Sequence, residues 1–138
     1  GEIPFTQELE HTKIYLDIEK VRFEDALCIV YDIRCTDFML PTLTLQPIVE
    51  NAVRHGVREK PDGRGTVVIA TRETPDCYEI TVTDDGPGFD PDRLPEDGQM
   101  HVGIANVRER LRQIVDGSLE YQSAPGEGTA AIIRIPKQ

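Results

Sequence analysis

Two segments rich in β-branched residues stand four residues apart in this chain, and they constrain its fold most strongly. "TVVIATR" (66–72) and "CYEITVT" (77–83) alternate partly between apolar and polar residues, and the turn-forming stretch "ETPD" joins them. This pattern is typical of a β-hairpin. Because an isolated hairpin is barely stable in water, we expect a larger sheet with helices packed against it.

The remaining segments supply those helices and strands. We predict helices at 6–22, 42–55 and 104–115, and further strands at 27–33, 118–122 and 129–135. Residues 84–103 contain four glycines and three prolines, and we interpret them as a long mobile loop. This order predicts an α+β, two-layer sandwich with a mixed, mostly antiparallel sheet and helices on one face.

Length and charge restrict the function. The 138 residues are enough for one domain, and the net charge of −10 argues against a nucleic acid partner, whose phosphates need a basic surface. The net charge does not argue against a single nucleotide as the ligand, because a single nucleotide needs only a local binding site. No apolar run approaches the roughly 20 residues that span a membrane, and we recognise no signal peptide.

The segment "TLQPIVENAVRHG" (44–56) combines the apolar spacing of a buried helix with several polar side chains. Asn51, Arg54 and His55 stand at i, i+3 and i+4, so they lie on one face beside the apolar stripe. Glu50 can pair with Arg54 one turn later. Taken alone, this face is compatible with either a solvated polar stripe or a binding site.

A glycine-rich cluster, "DDGPGF", follows the second hairpin strand. Asp84 closes that strand, and Gly86 and Gly88 allow the backbone to turn tightly and to approach a ligand. A buried carboxylate at this place can accept a hydrogen bond from an exocyclic amine.

Two further clusters carry glycine. In "HVGIAN", Gly103 is predicted to lead into a helix N-terminus, whose amides attract phosphate. "GEGT" (126–129) opens the last strand. Each cluster alone is a weak signal, but the three together, behind a helix that carries asparagine, point to a nucleotide site.

With these motifs, the sequence resembles the ATP-binding domain of sensor histidine kinases, within the gyrase, chaperone, kinase and mismatch-repair ATPase superfamily. "LQPIVENAVRHG" and "GIANVRERL" are most similar to the LytS-type branch, and "ELEHTKIYLDIEKVRF" resembles the segment that precedes the nucleotide domain there. The resemblance implies a Bergerat fold with ATP and Mg²⁺ as cofactors. It makes residues 1–25 a linker helix from an upstream histidine-acceptor domain, and residues 26–138 the catalytic domain.

The resemblance also implies roles for individual residues. Asn51 would supply a side-chain oxygen to Mg²⁺, which prefers oxygen ligands. Asp84 would read the adenine amino group, supported by Thr129 through water, while Arg54 and His55 would lie near the phosphates and the ribose. The other nucleotide-binding positions that it implies are Gly86, Gly88, Gly103 and Asn106.

The resemblance favours phosphoryl transfer over hydrolysis. Superfamily members that hydrolyse ATP carry a glutamate one turn before the metal-binding asparagine, and Pro47 occupies that place here. The candidate catalytic residues are Asn51, Arg54 and Glu50. Glu50 is adjacent to Asn51 and is therefore rotated from it by about 100° around the helix. We interpret it as an ion-pair partner of Arg54 rather than as a base. Positioning and charge neutralisation would then drive transfer of the γ-phosphoryl group to a histidine.

The acceptor histidine of this family is followed by Phe-Leu-Phe-Asn, a motif that none of His11, His55 and His101 carries. We therefore expect the acceptor in an upstream dimerisation domain, and a response regulator as the next partner. The resemblance implies a membrane-bound, dimeric full-length protein with this domain in the cytoplasm. Since the acceptor helices would carry dimerisation, a soluble, monomeric fragment is compatible with it.

Two positions depart from the family pattern: Asp85 stands where asparagine is frequent, and His101 where a second glycine is frequent. They keep two alternatives open. One is an anti-sigma-type serine kinase, and the other is a degenerate nucleotide-binding module that serves in protein interaction.

Overall fold

A five-stranded sheet forms one layer of the molecule. The computed structural model describes residues 1–57, 60–90 and 98–138. The strands are Glu2–Pro4 (β1), Leu27–Ile33 (β2), Met39–Pro41 (β3), Gly65–Glu73 (β4), Cys77–Asp84 (β5), Ser118–Ser123 (β6) and Thr129–Pro136 (β7). The large sheet has the order β2-β4-β5-β7-β6, in which β2 and β4 are parallel and the other neighbours are antiparallel. The predicted hairpin of β4 and β5 is confirmed.

Helices form the second layer. They are Phe5–Phe23 (α1), Leu45–Asn51 (α2) and Gly98–Val115 (α3), with a 3₁₀ turn at Glu24–Ala26 and a π-helical segment at Ala52–Val57. Their apolar faces join the sheet in one hydrophobic core, which includes Leu16, Ile48, Val49, Ile69, Ile80, Leu111 and Ile133. Among the described residues, no helix is long and apolar enough to cross a bilayer.

The opposite face of the sheet is charged. The Glu79 carboxylate contacts Arg72 Nε at 2.9 Å and Arg134 Nε at 3.3 Å, across β4 and β7. Because side chains alternate between the two faces of a strand, these ion pairs lie on the side away from Ile80 and the helices. The predicted α+β, two-layer architecture with helices on one face is thus confirmed.

The second predicted helix differs from the observed one in its final turns. The α-helix begins at Leu45, so Pro47 lies in the first turn. Backbone N–H groups in the first turn make no intrahelical hydrogen bond, so proline, which has no N–H, is tolerated there. After Asn51 the chain continues as a π-helical segment to Val57. The prediction of a regular helix through His55 was wrong, because apolar periodicity does not distinguish the wider helical turn.

The third predicted helix begins six residues earlier than expected, at Gly98 instead of Ile104. Gln99 and Met100 are good helix formers, and no proline follows Pro95 before the helix, so the sequence permits this extension. Gly103 therefore lies inside α3 and not at its N-terminus. The predicted mobile loop is contradicted where it overlaps α3; residues 91–97 and the side chain of His101 lie outside the described part.

A small second sheet, which the sequence did not predict, joins β1 and β3. It brings the start of the chain against the segment that precedes α2. Helix α1, assigned to a linker on sequence, buries Phe5, Leu9 and Leu16 in the same core as the sheet. The division of the chain between residues 25 and 26 stays a prediction.

Candidate functional site

The candidate site lies where the end of α2 meets the ends of β5 and β7. Asp84 is the last residue of β5 and is paired in register with Val67 on β4 and with Thr129 on β7. The antiparallel register thus brings together a carboxylate and a hydroxyl that are 45 positions apart in the sequence. Both belong to the glycine-rich clusters that the sequence analysis singles out.

The Asp84 carboxylate is partly buried and unusually basic. Burial raises its pKa to about 6, and the neighbouring charge of Asp85 acts in the same direction. A hydrogen bond of 2.9 Å from the Gly86 N–H to Oδ1, and the charge of His55, both lower the pKa. At neutral pH this side chain is therefore a largely ionised hydrogen-bond acceptor in a partly desolvated setting.

Glycines allow the helical layer to touch the strand end. A Cβ on Gly56, in the π-helical segment, would lie 2.3 Å from Asp84 Cγ, and one on Gly86 would lie 2.1 Å from the Gly56 carbonyl oxygen. Gly88 has a φ of +70°, and a Cβ added there would collide with the Ala124 carbonyl oxygen. Only glycine fits these positions without displacement. Gly56 was not among the predicted site residues.

Tyr121 is a further buried polar side chain close to the candidate site. It lies on β6 with its hydroxyl buried, and burial raises the pKa of the phenol to about 12. The Asn51 side chain and the charge of Arg108 lower this pKa, while the charge of Asp84 raises it. The contact between the helical layer and Asp84 itself is made by Gly56, in the segment that follows Asn51.

Ser123 ties the glycine-rich turns together. Its Oγ donates to the Gly128 carbonyl at 2.8 Å, accepts the Phe89 N–H at 2.9 Å, and lies 2.9 Å from Thr129 Oγ1. Because a serine has one hydroxyl proton, the Thr129 hydroxyl must donate to Ser123. Thr129 thus lies between Ser123, its side-chain partner, and Asp84, its partner in the strand register. Alternation along β6 places Ser123 and Tyr121 on the same face, a signal that sequence reasoning could have used.

The other predicted residues are more peripheral. Glu50 is exposed, and its carboxylate accepts a hydrogen bond from Gln46; its pairing with Arg54 stays a prediction. Arg54 is also exposed, at the end of the helical layer. On α3, Asn106 is exposed, and a Cβ added to Gly103 would meet no atom of the described residues within 4 Å.

Asp85, the first departure from the family pattern, has its own partners. Its Oδ1 accepts the Thr66 N–H at 2.9 Å, and its Oδ2 lies 3.6 Å from Lys60 Nζ. These contacts hold the carboxylate against the start of β4. Its charge is therefore partly balanced by a lysine and does not stand alone at the cleft.

One side chain at the site offers an oxygen of the kind that a hard cation accepts. Asn51 is half-buried and offers an amide oxygen, a hard ligand that Mg²⁺ accepts. Among the described residues, no group of three or more His, Cys, Asp and Glu side chains could hold a metal ion. An ion bound here would draw most of its ligands from phosphate and water.

A separate cavity of about 290 Å³ adjoins the strand ends. Besides Asp84 and Thr129 it is lined by Thr83 and Ala130, which alternation places on the opposite face of the sheet. Its volume is at the lower limit of ligand pockets, which start at about 300 Å³, and Asn51 is not among its described lining residues.

Comparison with known families gives one match over most of the chain. The model described as "Histidine kinase-, DNA gyrase B-, and HSP90-like ATPase" matches residues 40–138. This range contains α2, α3 and all strands of the large sheet except β2, and with them every predicted site residue.

Similar proteins extend over the whole chain. YwpD of Bacillus subtilis is 38% identical over 136 residues, which cover 95% of this chain and 49% of that protein. The sensor histidine kinase YpdA of Escherichia coli is 34% identical over 143 residues (99% of this chain, 25% of that protein). The sensor protein LytS of Staphylococcus haemolyticus is 34% identical over 146 residues (97% and 25%). The chain thus spans half or less of the length of these relatives.

A solved structure has the same fold. The nucleotide-free catalytic domain of histidine kinase ThkA superposes with a TM-score of 0.76, at 13% sequence identity, over 99% of this chain and 95% of that domain. At this low identity the likeness concerns the fold, which two-layer packing and strand order had already defined.

Proposed function

Because this chain belongs to the family of histidine kinase-, DNA gyrase B- and HSP90-like ATPases, we propose that it is the ATP-binding catalytic domain of a sensor histidine kinase. It binds Mg·ATP and transfers the γ-phosphoryl group to a histidine on an upstream dimerisation domain, for relay to a response regulator. The observation that supports the proposal is the contact between the helical layer and the end of β5, where Gly56, in the segment that follows Asn51, lies against the Asp84 carboxylate. The likeness to YpdA and LytS supports it.

The chain's own residues would divide the work between two ends of the ligand. Asp84 accepts a hydrogen bond from the exocyclic amine of adenine, assisted by the Thr129 hydroxyl oxygen. Asn51 offers its amide oxygen to Mg²⁺, and Arg54 and His55 lie at the phosphate side. Magnesium, when bound, neutralises charge on the phosphates, which is the main requirement of phosphoryl transfer.

Pro47 favours transfer over hydrolysis. It occupies the helical turn before Asn51 and offers no side chain that could activate water. The exposed Glu50 carboxylate accepts a hydrogen bond from Gln46, which is compatible with a structural role. The domain is therefore expected to hold ATP without consuming it until a histidine is presented.

The test combines binding with turnover. We expect this chain to bind Mg·ATP, to release no ADP over multiple turnovers, and to form acid-labile phosphohistidine only when a histidine-acceptor domain is added. The measurements are calorimetry, ADP release and acid and base stability of the phosphoprotein. Rapid hydrolysis without an acceptor would identify a hydrolase instead, and phosphoserine on an added partner would favour the serine-kinase alternative.

A further inference from the structure

Helix α1 carries a second apolar face, which points away from the core. On its inner side Leu9 and Leu16 are buried against the sheet. Ile14, Ile18 and Val21 are instead 60%, 64% and 81% exposed, and they follow one another at spacings of four and three residues. At about 100° per residue, this spacing keeps the three side chains together on the side of the helix opposite the buried one. They form an outward stripe on α1.

The outward stripe has the pattern of a helix that packs along another helix. A solvated helix face normally carries polar side chains, and single exposed apolar residues are common. Three branched apolar side chains in a row form a contiguous surface that water disfavours. Spacings of four and three residues are those of the a and d positions of a heptad, with Ile18 at a and with Ile14 and Val21 at d.

The charges that flank the stripe identify the second helix. Asp17 occupies the g position and Arg22 the e position, and both are exposed. Arg22 Nη1 lies 3.7 Å from Glu19 Oε1 of its own helix, and its side chain stays 61% exposed and open to a further partner. In a parallel pair, a g position lies beside the e position five residues further along the other helix. When the second helix is another copy of α1, Asp17 of each copy therefore lies beside Arg22 of the other.

The opposite direction of pairing is disfavoured by the same charges. In an antiparallel pair, g positions lie beside g positions. With Ile14 opposite Ile18, Asp17 of one copy would then lie against Asp17 of the other, and like charges repel. Because the outward stripe is opposite the core, two copies that pair through it have their sheets on the outer sides, where they do not collide.

We propose that the outward stripe is a self-association surface, on which α1 of a second copy of this chain packs in parallel. Ile14, Ile18 and Val21 each meet their own counterpart, and two Asp17–Arg22 pairs flank them. Three apolar layers cover less than the roughly 800 Å² per partner of a stable interface, so the association is weak and depends on concentration. It involves no nucleotide and does not depend on the proposed function.

The first test is sedimentation equilibrium of the chain without nucleotide, from micromolar to millimolar concentration. The weight-average mass should rise with concentration from that of one chain toward that of two. Ile18→Lys should stay monomeric, and its Tm should equal that of the wild type because the side chain that changes is exposed. The matched control is Ile114→Lys, an exposed isoleucine on α3, which should associate like the wild type.

The second test is a charge exchange, which depends on parallel pairing of two identical helices. Asp17→Arg and Arg22→Asp each place like charges beside one another, and each should raise the dissociation constant about fivefold or more, since two symmetry-related pairs are affected. The variant that carries both substitutions restores opposite charges across the pair and should recover the wild-type constant.

Three results would overturn the self-association surface and leave the proposed function intact. One is a wild-type chain that stays monomeric up to millimolar concentration. Another is an Ile18→Lys variant that associates like the wild type, which would place the contact elsewhere. The third is a double charge variant that associates no better than either single variant, which would exclude parallel pairing of α1 with itself.

Discussion

At the scale of single residues, the candidate site depends on the carboxylate of Asp84, whose surroundings disfavour its ionised form. Asp84 lies under the π-helical segment with Gly56 against its carboxyl carbon, and burial raises its pKa to about 6. A carboxylate that is short of hydrogen-bond donors is well suited to accept one from a ligand. The same property makes the stability of the folded chain depend on pH.

The sign of this dependence follows from the raised pKa. The folded state holds the Asp84 proton more tightly than the unfolded state, whose pKa is near 3.8, so this stabilisation is present below pH 4 and is lost as pH rises through 6. We therefore expect the unfolding free energy of Asp84→Asn to rise relative to that of the wild type as the pH rises from 4 to 7. The expected change is about 1–2 kcal/mol, because the partial exposure of Asp84 weakens the influence of its charge. Urea unfolding across this range measures it.

The exposed carboxylate of Asp76, in the turn between β4 and β5, provides the control as Asp76→Asn. A difference in unfolding free energy between wild type and Asp84→Asn that stays constant from pH 4 to 7 would contradict the assigned environment.

Sequence reasoning selected some residues of the cleft and missed others, for a physical reason. Asp84 and Thr129 stand next to glycines at strand ends, where local turn chemistry already favours a site. Tyr121 lies in the middle of β6 and resembles any core-facing aromatic residue. Its hydroxyl is buried without a hydrogen-bond partner among the described residues, a property that only the folded structure reveals.

At the scale of elements, α2 is held by a side chain from α1. Glu8 is 1% exposed, and its carboxylate accepts the Leu45 N–H at 3.1 Å and the Leu43 N–H at 3.2 Å. Thr44 makes no side-chain cap, so Glu8 satisfies the amides at the start of the helix that carries Asn51. Helix α1 thus contributes directly to the placement of the candidate site.

We expect Glu8→Gln to destabilise the fold by about 1–3 kcal/mol, because an NH₂ group would replace one of the two acceptor oxygens in a buried place. Denaturant unfolding measures the loss. The control is Glu10→Gln, an exposed glutamate on the same helix. Equal stability of the two variants would show that the carboxylate does not cap α2.

Element boundaries also illustrate what patterns cannot predict. Apolar spacing located α2 and α3, and the hairpin turn located β4 and β5 within one residue at each end. The π-helical segment depends on tertiary contacts. The early start of α3 depends on weak local preferences. The long-range Glu8 cap has no local sequence signature at all.

At the scale of the whole molecule, the strand order brings together parts of the chain that the sequence presented as separate motifs. Strand β5 lies between β4 and β7, so the "DDGPGF" and "GEGT" turns become neighbours, and the segment that follows Asn51 meets Asp84 through Gly56. The sequence predicted the layers and the motifs. Their convergence on one cleft needed the register of β5 with β7 and the glycine contact at Gly56.

The central claim is that Asn51 and Asp84 bind opposite ends of one adenine nucleotide, and a crossed titration tests it most directly. Wild type, Asn51→Ala and Asp84→Asn are titrated by calorimetry with ADP and GDP, in Mg²⁺ and in EDTA. Asn51→Ala should lose the gain in affinity that Mg²⁺ gives but keep the preference for adenine. Asp84→Asn should lose that preference, by about tenfold or more, but keep the response to Mg²⁺. A wild-type chain that binds ADP and GDP equally, or an Asn51→Ala variant with an unchanged response to Mg²⁺, would contradict the account.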